Sequence, residues 1–378
     1  MKKRIFITGG HLSPASAVMD KLDRNKWEIF YVGRKHSLEG EKSVSTEYSL
    51  LSNLSNLRFL SITTGRLQRH LSVHTIPSLL KIPLGFFQSL YWMIKFHPDV
   101  VLSFGGYVGV PVALAAVLQH IPVVIHEQTL VPSLSSQLIS PFARRILVSF
   151  PQILSHFTKE KVILTGNPIR KEIFKINQTA DYRNFLDRKS KTKLPVLYIT
   201  GGSQGAHSIN QIVLVALPEL LKNHLIIHQC GFSEKFHDFE NLEKFAKLIP
   251  ENQQNNYFLK TYIDSKNIGW VLKVADIVIG RSGANTVSEI AACGKVAILI
   301  PLPWSAKGEQ QKNAAMLENF QGARVIPQEF LTKEILINEM SGIEGNMKSF
   351  RENAQKSKIL IDFSAAQNIV SEVEKMVC

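Results

Sequence analysis

Several short stretches of this chain combine glycines, hydroxyls, amides and single ionisable groups in an order that suits phosphates and sugars. Thr8-Gly9-Gly10-His11-Leu12-Ser13-Pro14 closes one apolar run and opens a helical one. Glycines permit a sharp turn and a close backbone approach, and the following helix offers free amides and the positive end of its dipole to an anion. His11 at that turn is equipped to act as a base or a donor; the alternative is a structural histidine in a strand–helix turn. Gly201-Gly202-Ser203-Gln204-Gly205-Ala206 repeats the design, and Ser203 adds a hydroxyl donor. It lacks the Gly-x-x-x-x-Gly-Lys-Ser/Thr of a nucleoside triphosphatase and the Gly-x-Gly-x-x-Gly of a dinucleotide site, so a diphosphate is the better fit.

Four more stretches have this character. Phe104-Gly105-Gly106-Tyr107-Val108-Gly109-Val110-Pro111 follows an apolar strand and forms either a pocket wall or a helix–sheet packing turn. His126-Glu127-Gln128-Thr129 puts polar groups at the carboxyl end of a strand, where ligands bind in open parallel sheets; a buried hydrogen-bonded cap is the other reading. Arg281 to Glu289 joins a strand to a helix. Its amides suit a diphosphate and Glu289 suits the paired hydroxyls of a ribose, or else Asn285 or Thr286 caps the helix with Glu289 closing a capping box. Pro301-Leu302-Pro303-Trp304, followed by Glu309-Gln310-Gln311-Lys312-Asn313, offers side-chain amides for sugar hydroxyls, or is a solvated first helical turn.

The elements that must position these residues alternate between strand and helix throughout, which implies a parallel α/β architecture. Strands are expected at Arg4–Thr8, Val100–Ser103, Val123–His126, Arg145–Ser149, Val162–Thr165, Leu225–Gln229, Asp276–Ile279 and Val296–Ile300, with a helix over Ser13–Leu22 capped by Ser13. Ile-Thr-Gly-Gly occurs at both Ile7–Gly10 and Ile199–Gly202, each time ending a strand and feeding a helix. This weak internal repeat suggests two Rossmann-like halves facing across a cleft. The expected division is an acceptor-side and membrane-facing domain over 1–170 and a linker over 171–194 containing Asn177, Gln178 and Thr179. A nucleotide-sugar domain over 195–360 follows, and then a C-terminal helix over 361–378 packing back on the first domain.

A chain of 378 residues that is 45% hydrophobic and 20% charged fits two globular domains. Cys230, Cys293 and Cys378 are odd in number and far apart, against a disulfide framework or a zinc site and in keeping with a reducing cytosol. The basic start Met1-Lys2-Lys3-Arg4 is followed by only Ile5-Phe6-Ile7, too short for a signal peptide's apolar region of roughly 7–15 residues. Val100 to Leu118 is uncharged, but its glycines and Pro111 read as strand, turn and helix rather than as a membrane span. The formal charge of +13 suggests an anionic partner, a phosphorylated ligand or anionic lipid rather than nucleic acid, for which no module signature is present. Ile82 to Ile94 carries no charge between Lys81 and Lys95; it suits the plane of a membrane interface, or a buried amphipathic helix.

Taken together and in order, these stretches resemble the bacterial MurG family of GT-B glycosyltransferases, over nearly the whole chain. Thr165-Gly166-Asn167-Pro168-Ile169-Arg170 and Arg281-Ser282-Gly283-Ala284 are among the most specific pieces. The resemblance implies inverting transfer of N-acetylglucosamine from UDP-GlcNAc to undecaprenyl-pyrophosphoryl-MurNAc-pentapeptide in peptidoglycan synthesis, at the cytoplasmic face of an anionic membrane and without a metal or other cofactor. It implies donor contacts from Thr8, Gly9, Gly10, Arg170 and Ser203, and from Ile263 toward the uracil. Ala284, Asn285, Thr286, Val287, Ser288 and Glu289 would hold diphosphate and ribose, with Gln310 and Asn313 on the GlcNAc. His11 and Glu289 stand as the catalytic candidates, Thr129 as a substrate contact, and Phe86, Phe87 and Trp92 as the membrane-facing group.

Two departures fall on the acceptor side. The first loop is shorter than the family's Gly-Gly-Thr-Gly-Gly-His, and Thr129 stands where the family has Asn. They keep open a related glycosyltransferase with another lipid or glycan acceptor, a UDP-GlcNAc 2-epimerase-like enzyme, and a non-catalytic nucleotide-sugar-binding subunit.

Overall fold

The computed structural model describes residues 2–36, 45–52, 54–65, 75–176 and 182–377. Met1, Cys378 and the linker residues Asn177, Gln178 and Thr179 lie outside the described residues. The chain divides into two units, one of Met1–Arg170 with Asp362–Cys378 and one of Lys171–Ile361.

Unit 1 contains the strands β1 (Lys3–Thr8), β2 (Trp27–Gly33), β3 (Arg58–Ser61), β4 (Val100–Ser103), β5 (Val123–Glu127), β6 (Arg145–Val148) and β7 (Val162–Leu164). They are joined by α1 (Leu12–Met19), α2 (Thr46–Leu51), α3 (Thr75–Phe96), α4 (Gly106–Leu118) and α5 (Leu134–Ile139). The strands form one parallel sheet in the order β3-β2-β1-β4-β5-β6-β7. Both faces are covered, so the strands are apolar almost throughout. Successive side chains alternate between the two layers. Ile5 and Ile7 of β1 pack with Ala15 and Val18 of α1, whereas Phe6 packs on the other face with Phe30, Met93 and Val112.

Unit 2 runs through α6 (Arg183–Thr192), β8 (Val196–Thr200), α7 (His207–Asn223), β9 (Leu225–Gln229), α8 (Asp238–Ala246), α9 (Glu251–Gln254), β10 (Tyr257–Lys260), α10 (Ile268–Val274) and β11 (Ile277–Gly280). It continues with α11 (Ala284–Cys293), β12 (Val296–Leu299), α12 (Glu309–Glu318), β13 (Ala323–Val325), α13 (Lys333–Glu344) and α14 (Met347–Lys356). Its sheet is also parallel, in the order β10-β9-β8-β11-β12-β13. The final helix α15 (Ala365–Glu374) belongs to unit 1, where Ala366, Ile369, Val370 and Val373 join the layer formed by α1.

Strand order reverses between β1 and β4 in the first sheet and between β8 and β11 in the second. Such a reversal splays the connecting helices to opposite faces and opens a crevice at the strands' carboxyl ends, the ligand position of doubly wound folds. The repeated Ile-Thr-Gly-Gly therefore marks the two strands, β1 and β8, that border the crevices.

Local details differ from the sequence reading in several places. β2, β3, β10 and β13 were not expected; they are short or interrupted by Glu28, Arg58 and Arg324, and pairing with a neighbour selects them. Ser13 is not the cap of α1: His11 holds that position without a side-chain cap, and Ser13 and Pro14 lie inside the first turn. Nor does a capping box form at α11, because Gly283 already has the extended backbone of an N-cap (φ −63°, ψ 148°) and Asn285 and Thr286 follow within the helix. Val100 to Leu118 resolves into β4 and α4, and among the described residues no helix is long and apolar enough to cross a membrane.

Candidate functional site

In unit 1 two glycine turns interlock at the crevice. The amide of Gly10 donates to Gly105 O at 3.3 Å, and Tyr31 Oη donates to Gly9 O at 2.8 Å. A Cβ on Gly9 would stand 2.8 Å from Phe104 C, and one on Gly106 2.9 Å from Gly10 N, so both turns need glycine to approach this closely. His11 follows directly, half-buried at the uncapped start of α1. Burial holds its imidazole below the ordinary histidine range, and the Glu127 carboxylate opposes part of that shift. A histidine that stays neutral near pH 7 is competent to accept a proton. Thr8 Oγ1 is buried beside this turn with no hydrogen-bond partner among the described residues.

The end of β5 braces the turn. His126 is fully buried and its Nε2 donates to Gly166 O at 3.0 Å; burial pushes its pKa down to about 4. Gln128 Nε2 donates to Phe104 O at 3.1 Å. Glu127 is also buried, and its carboxylate accepts from the amides of Thr129 (3.3 Å) and Ser133 (2.8 Å). Thr129 Oγ1 lies 2.9 Å from Glu127 Oε1 and 2.5 Å from Val131 O. Thr129 thus faces its own loop, where it was expected to contact substrate.

In unit 2 the loop Gly201–Ala206 leads into α7, whose first turn has no side-chain cap. Its amides are open to an anion. Gln229 ties this loop to the next: its Nε2 donates to Thr200 Oγ1 (3.2 Å) and Gly202 O (3.0 Å), while its Oε1 accepts from Ile263 N (3.0 Å). Phe232 N donates to Ser203 O at 3.0 Å, and the Phe232 and Tyr262 rings stack 5.2 Å apart. Asn210 Nδ2 donates to Cys230 O (2.9 Å) and to Asp238 Oδ2 (2.7 Å), and His228 Nε2 donates to Asn210 Oδ1 (3.1 Å). Burial drives the His228 pKa down to about 3, so it is a neutral strut in this network.

The start of α11 is likewise uncapped, and the loop before it is cross-braced. Arg281 donates to Ile300 O (3.0 Å), Ser208 Oγ (2.9 Å) and Gln328 Oε1 (2.5 Å); burial lowers its pKa to about 10. Ser282 Oγ donates to Gln310 O (2.8 Å), Asn313 Nδ2 donates to Ser282 O (3.1 Å), and Gln310 Oε1 accepts from Leu302 N (3.0 Å). The buried Asn313 Oδ1 has no partner among the described residues.

The residues singled out from the sequence therefore gather in two sets. Thr8, Gly9, Gly10, His11 and Thr129 lie at the crevice of unit 1. Ser203, Ile263, Ala284–Glu289, Gln310 and Asn313 lie at that of unit 2. Arg170 is half-buried at the end of the main segment of unit 1. Ala284, Val287, Ser288 and Glu289 are buried, so Ala284 and Val287 can reach a ligand only through backbone, while Asn285 and Thr286 are partly exposed. Of the apolar trio on α3, Phe87 faces outward at 64% exposure, whereas Phe86 and Trp92 pack against the core; Leu84, Tyr91 and Ile94 share the outer face instead. Glu127, Ser133, Gln229 and Arg281 were missed as site residues; Glu127 and Arg281 had a signal, a charged residue just at or after the end of an apolar strand. Among the described residues no three His, Cys, Asp or Glu side chains form a metal-binding group.

Comparison with known proteins adds family to geometry. Residues 8–148 match the glycosyltransferase family 28 N-terminal domain and residues 196–371 its C-terminal domain. The UDP-N-acetylglucosamine--N-acetylmuramyl-(pentapeptide) pyrophosphoryl-undecaprenol N-acetylglucosamine transferase of Halothermothrix orenii is 36% identical, with 97% of this chain and 96% of that protein covered. The transferase of the same name from Clostridium perfringens is 34% identical, covering 99% of each. The crystal structure of Acinetobacter baumannii MurG is similar at a TM-score of 0.66 and 26% identity over 99% of each chain. A UDP-GlcNAc 2-epimerase from Neisseria meningitidis, at 14% identity and a TM-score of 0.62 over 99% of this chain and 100% of that one, shares the fold.

Proposed function

The chain belongs to glycosyltransferase family 28, and we propose that it transfers N-acetylglucosamine from UDP-GlcNAc to undecaprenyl-pyrophosphoryl-MurNAc-pentapeptide during peptidoglycan synthesis. Near-full-length identity of 36% to a transferase of that name carries this reading. The geometry is consistent with it.

The acceptor hydroxyl attacks the anomeric carbon from the face opposite UDP, with inversion. Positive charge grows on the sugar and negative charge on the departing diphosphate. Uncapped amides at the starts of α7 and α11 are fixed in place by Gln229, Arg281 and Ser282, so they can meet that negative charge with little reorganisation. Gln310 and the unpartnered Asn313 Oδ1 supply amide groups for sugar hydroxyls. Neutral His11 takes the acceptor proton. The outward face of α3, with Leu84, Phe87, Tyr91 and Ile94 beside Lys81 and Lys95, rests on the anionic cytoplasmic surface of the membrane.

The test is an assay of the purified chain with UDP-GlcNAc and the lipid-linked muramyl acceptor. Formation of the disaccharide lipid with stoichiometric UDP supports the reading. Release of UDP without acceptor, or conversion of UDP-GlcNAc to an epimer, refutes it.

A further inference from the structure

Four structural links connect β5 to the His11 turn. Glu127 binds the amides of Thr129 and Ser133 and lies within reach of the Thr129 hydroxyl. Ser133 then caps α5, its Oγ accepting from Ser136 N at 3.2 Å. The hydroxyls of Ser133, Ser135 and Ser136 close over Gly105, standing 3.6, 3.3 and 3.9 Å from where a Cβ would be. Gly105 O in turn receives the amide of Gly10, the residue before His11.

We infer that Glu127 and Thr129 are positioning residues for the transfer, stapling the 129–136 segment over Gly105 so that the His11 turn keeps its place. The inference rests on the proposed reaction. Glu127 is unsuited to be the proton acceptor itself, since both carboxylate oxygens are already occupied by its own loop. Thr129 does with one hydroxyl what its position requires: that proton serves Glu127 Oε1 or Val131 O, and either bond closes the same turn. The titratable groups facing the His11 turn are Glu127 and His126 from β5 and Tyr31 from β2. Burial keeps His126 and Tyr31 neutral, so Glu127 is the charge that His11 feels.

Steady-state kinetics on the full chain with both substrates, together with calorimetric titration of UDP, test this. Thr129→Val should lower kcat by roughly 10-fold, the scale of a lost hydrogen bond to a charged group, and Thr129→Ser should restore it. Glu127→Gln should lower kcat by about 100-fold and move the acid limb of kcat/KM to lower pH, because the charge favouring a protonated His11 is gone. UDP affinity should stay unchanged in every variant. Amide exchange over 129–136 and at Gly10 should quicken in Thr129→Val, a readout that does not depend on turnover. The inference is overturned by wild-type kcat and exchange in Thr129→Val, by an unmoved acid limb in Glu127→Gln, or by an inactive Glu127→Gln beside an active His11→Ala. Failure of the wild-type chain to transfer sugar while the exchange effect persists would instead sink the proposed reaction.

Discussion

Replacing Gly205 with alanine should separate donor binding from the rest of the chemistry. Gly205 has φ +81°, and a Cβ there would lie 2.0 Å from Cys230 O and 3.0 Å from Cys230 C. The left-handed backbone alone costs an alanine about 1–2 kcal/mol. Relieving the clash requires the Gly201–Ala206 loop and the Cys230–Phe232 segment to part by about an ångström, at a further 1–3 kcal/mol typical of overpacking. The shift would strain the Phe232 N to Ser203 O bond of 3.0 Å and the Asn210 Nδ2 to Cys230 O bond of 2.9 Å. If about 3 kcal/mol falls on the loop that receives the diphosphate, UDP affinity drops by roughly 100-fold. Gly202 is the internal control. It has φ +83°, but its Cβ would meet nothing within 4 Å, so alanine there bears only the conformational cost and loses about 10-fold. Calorimetric titration of UDP into both variants, with thermal melts to verify folding, measures the difference. Equal affinities for Gly202→Ala and Gly205→Ala would refute the claim that close packing of the two loops shapes the diphosphate site.

His11→Ala should reduce kcat by about 100- to 10,000-fold with UDP affinity within twofold of wild type; turnover near wild type would make His11 structural. Charge reversal at Phe87 and Tyr91, to Glu, should abolish co-sedimentation with anionic phospholipid vesicles and leave UDP binding intact, whereas full retention on the vesicles removes α3 as the membrane face. Acid should also weaken the fold. His126 and His228 titrate near 4 and 3 in the folded protein against an ordinary 6.5, so below pH 6.5 the unfolded chain takes up protons that the folded chain refuses. Stability is fully present above pH 6.5 and lost as pH falls, by about 2 kcal/mol per histidine at pH 5. Urea unfolding at pH 7.5 and 5.0 measures it, and an unchanged midpoint contradicts it. His228→Gln should flatten the share of unit 2.

The sequence by itself determined the class of fold and the order of the ligand-bearing turns. Apolar runs of strand length that end in glycine or a polar group can only be buried parallel strands with their turns at one edge, and that logic needs no coordinates. It located Thr8–His11, Gly201–Ala206 and Arg281–Glu289 at strand ends, and the resemblance of the motifs supplied the family. Tertiary structure alone decided how each side chain is used. Helical phase sends Phe86 and Trp92 inward and Phe87 outward, although all three lie in one uncharged run. Thr129 and Glu127 satisfy each other because a buried carboxylate must find donors, and its nearest donors are in its own loop. Gln229 and Arg281 connect residues far apart in the chain, so their importance exists only once the strands are side by side. Periodicity reports which face of an element is dry; which polar atoms meet there depends on neighbours that only the folded chain brings into contact.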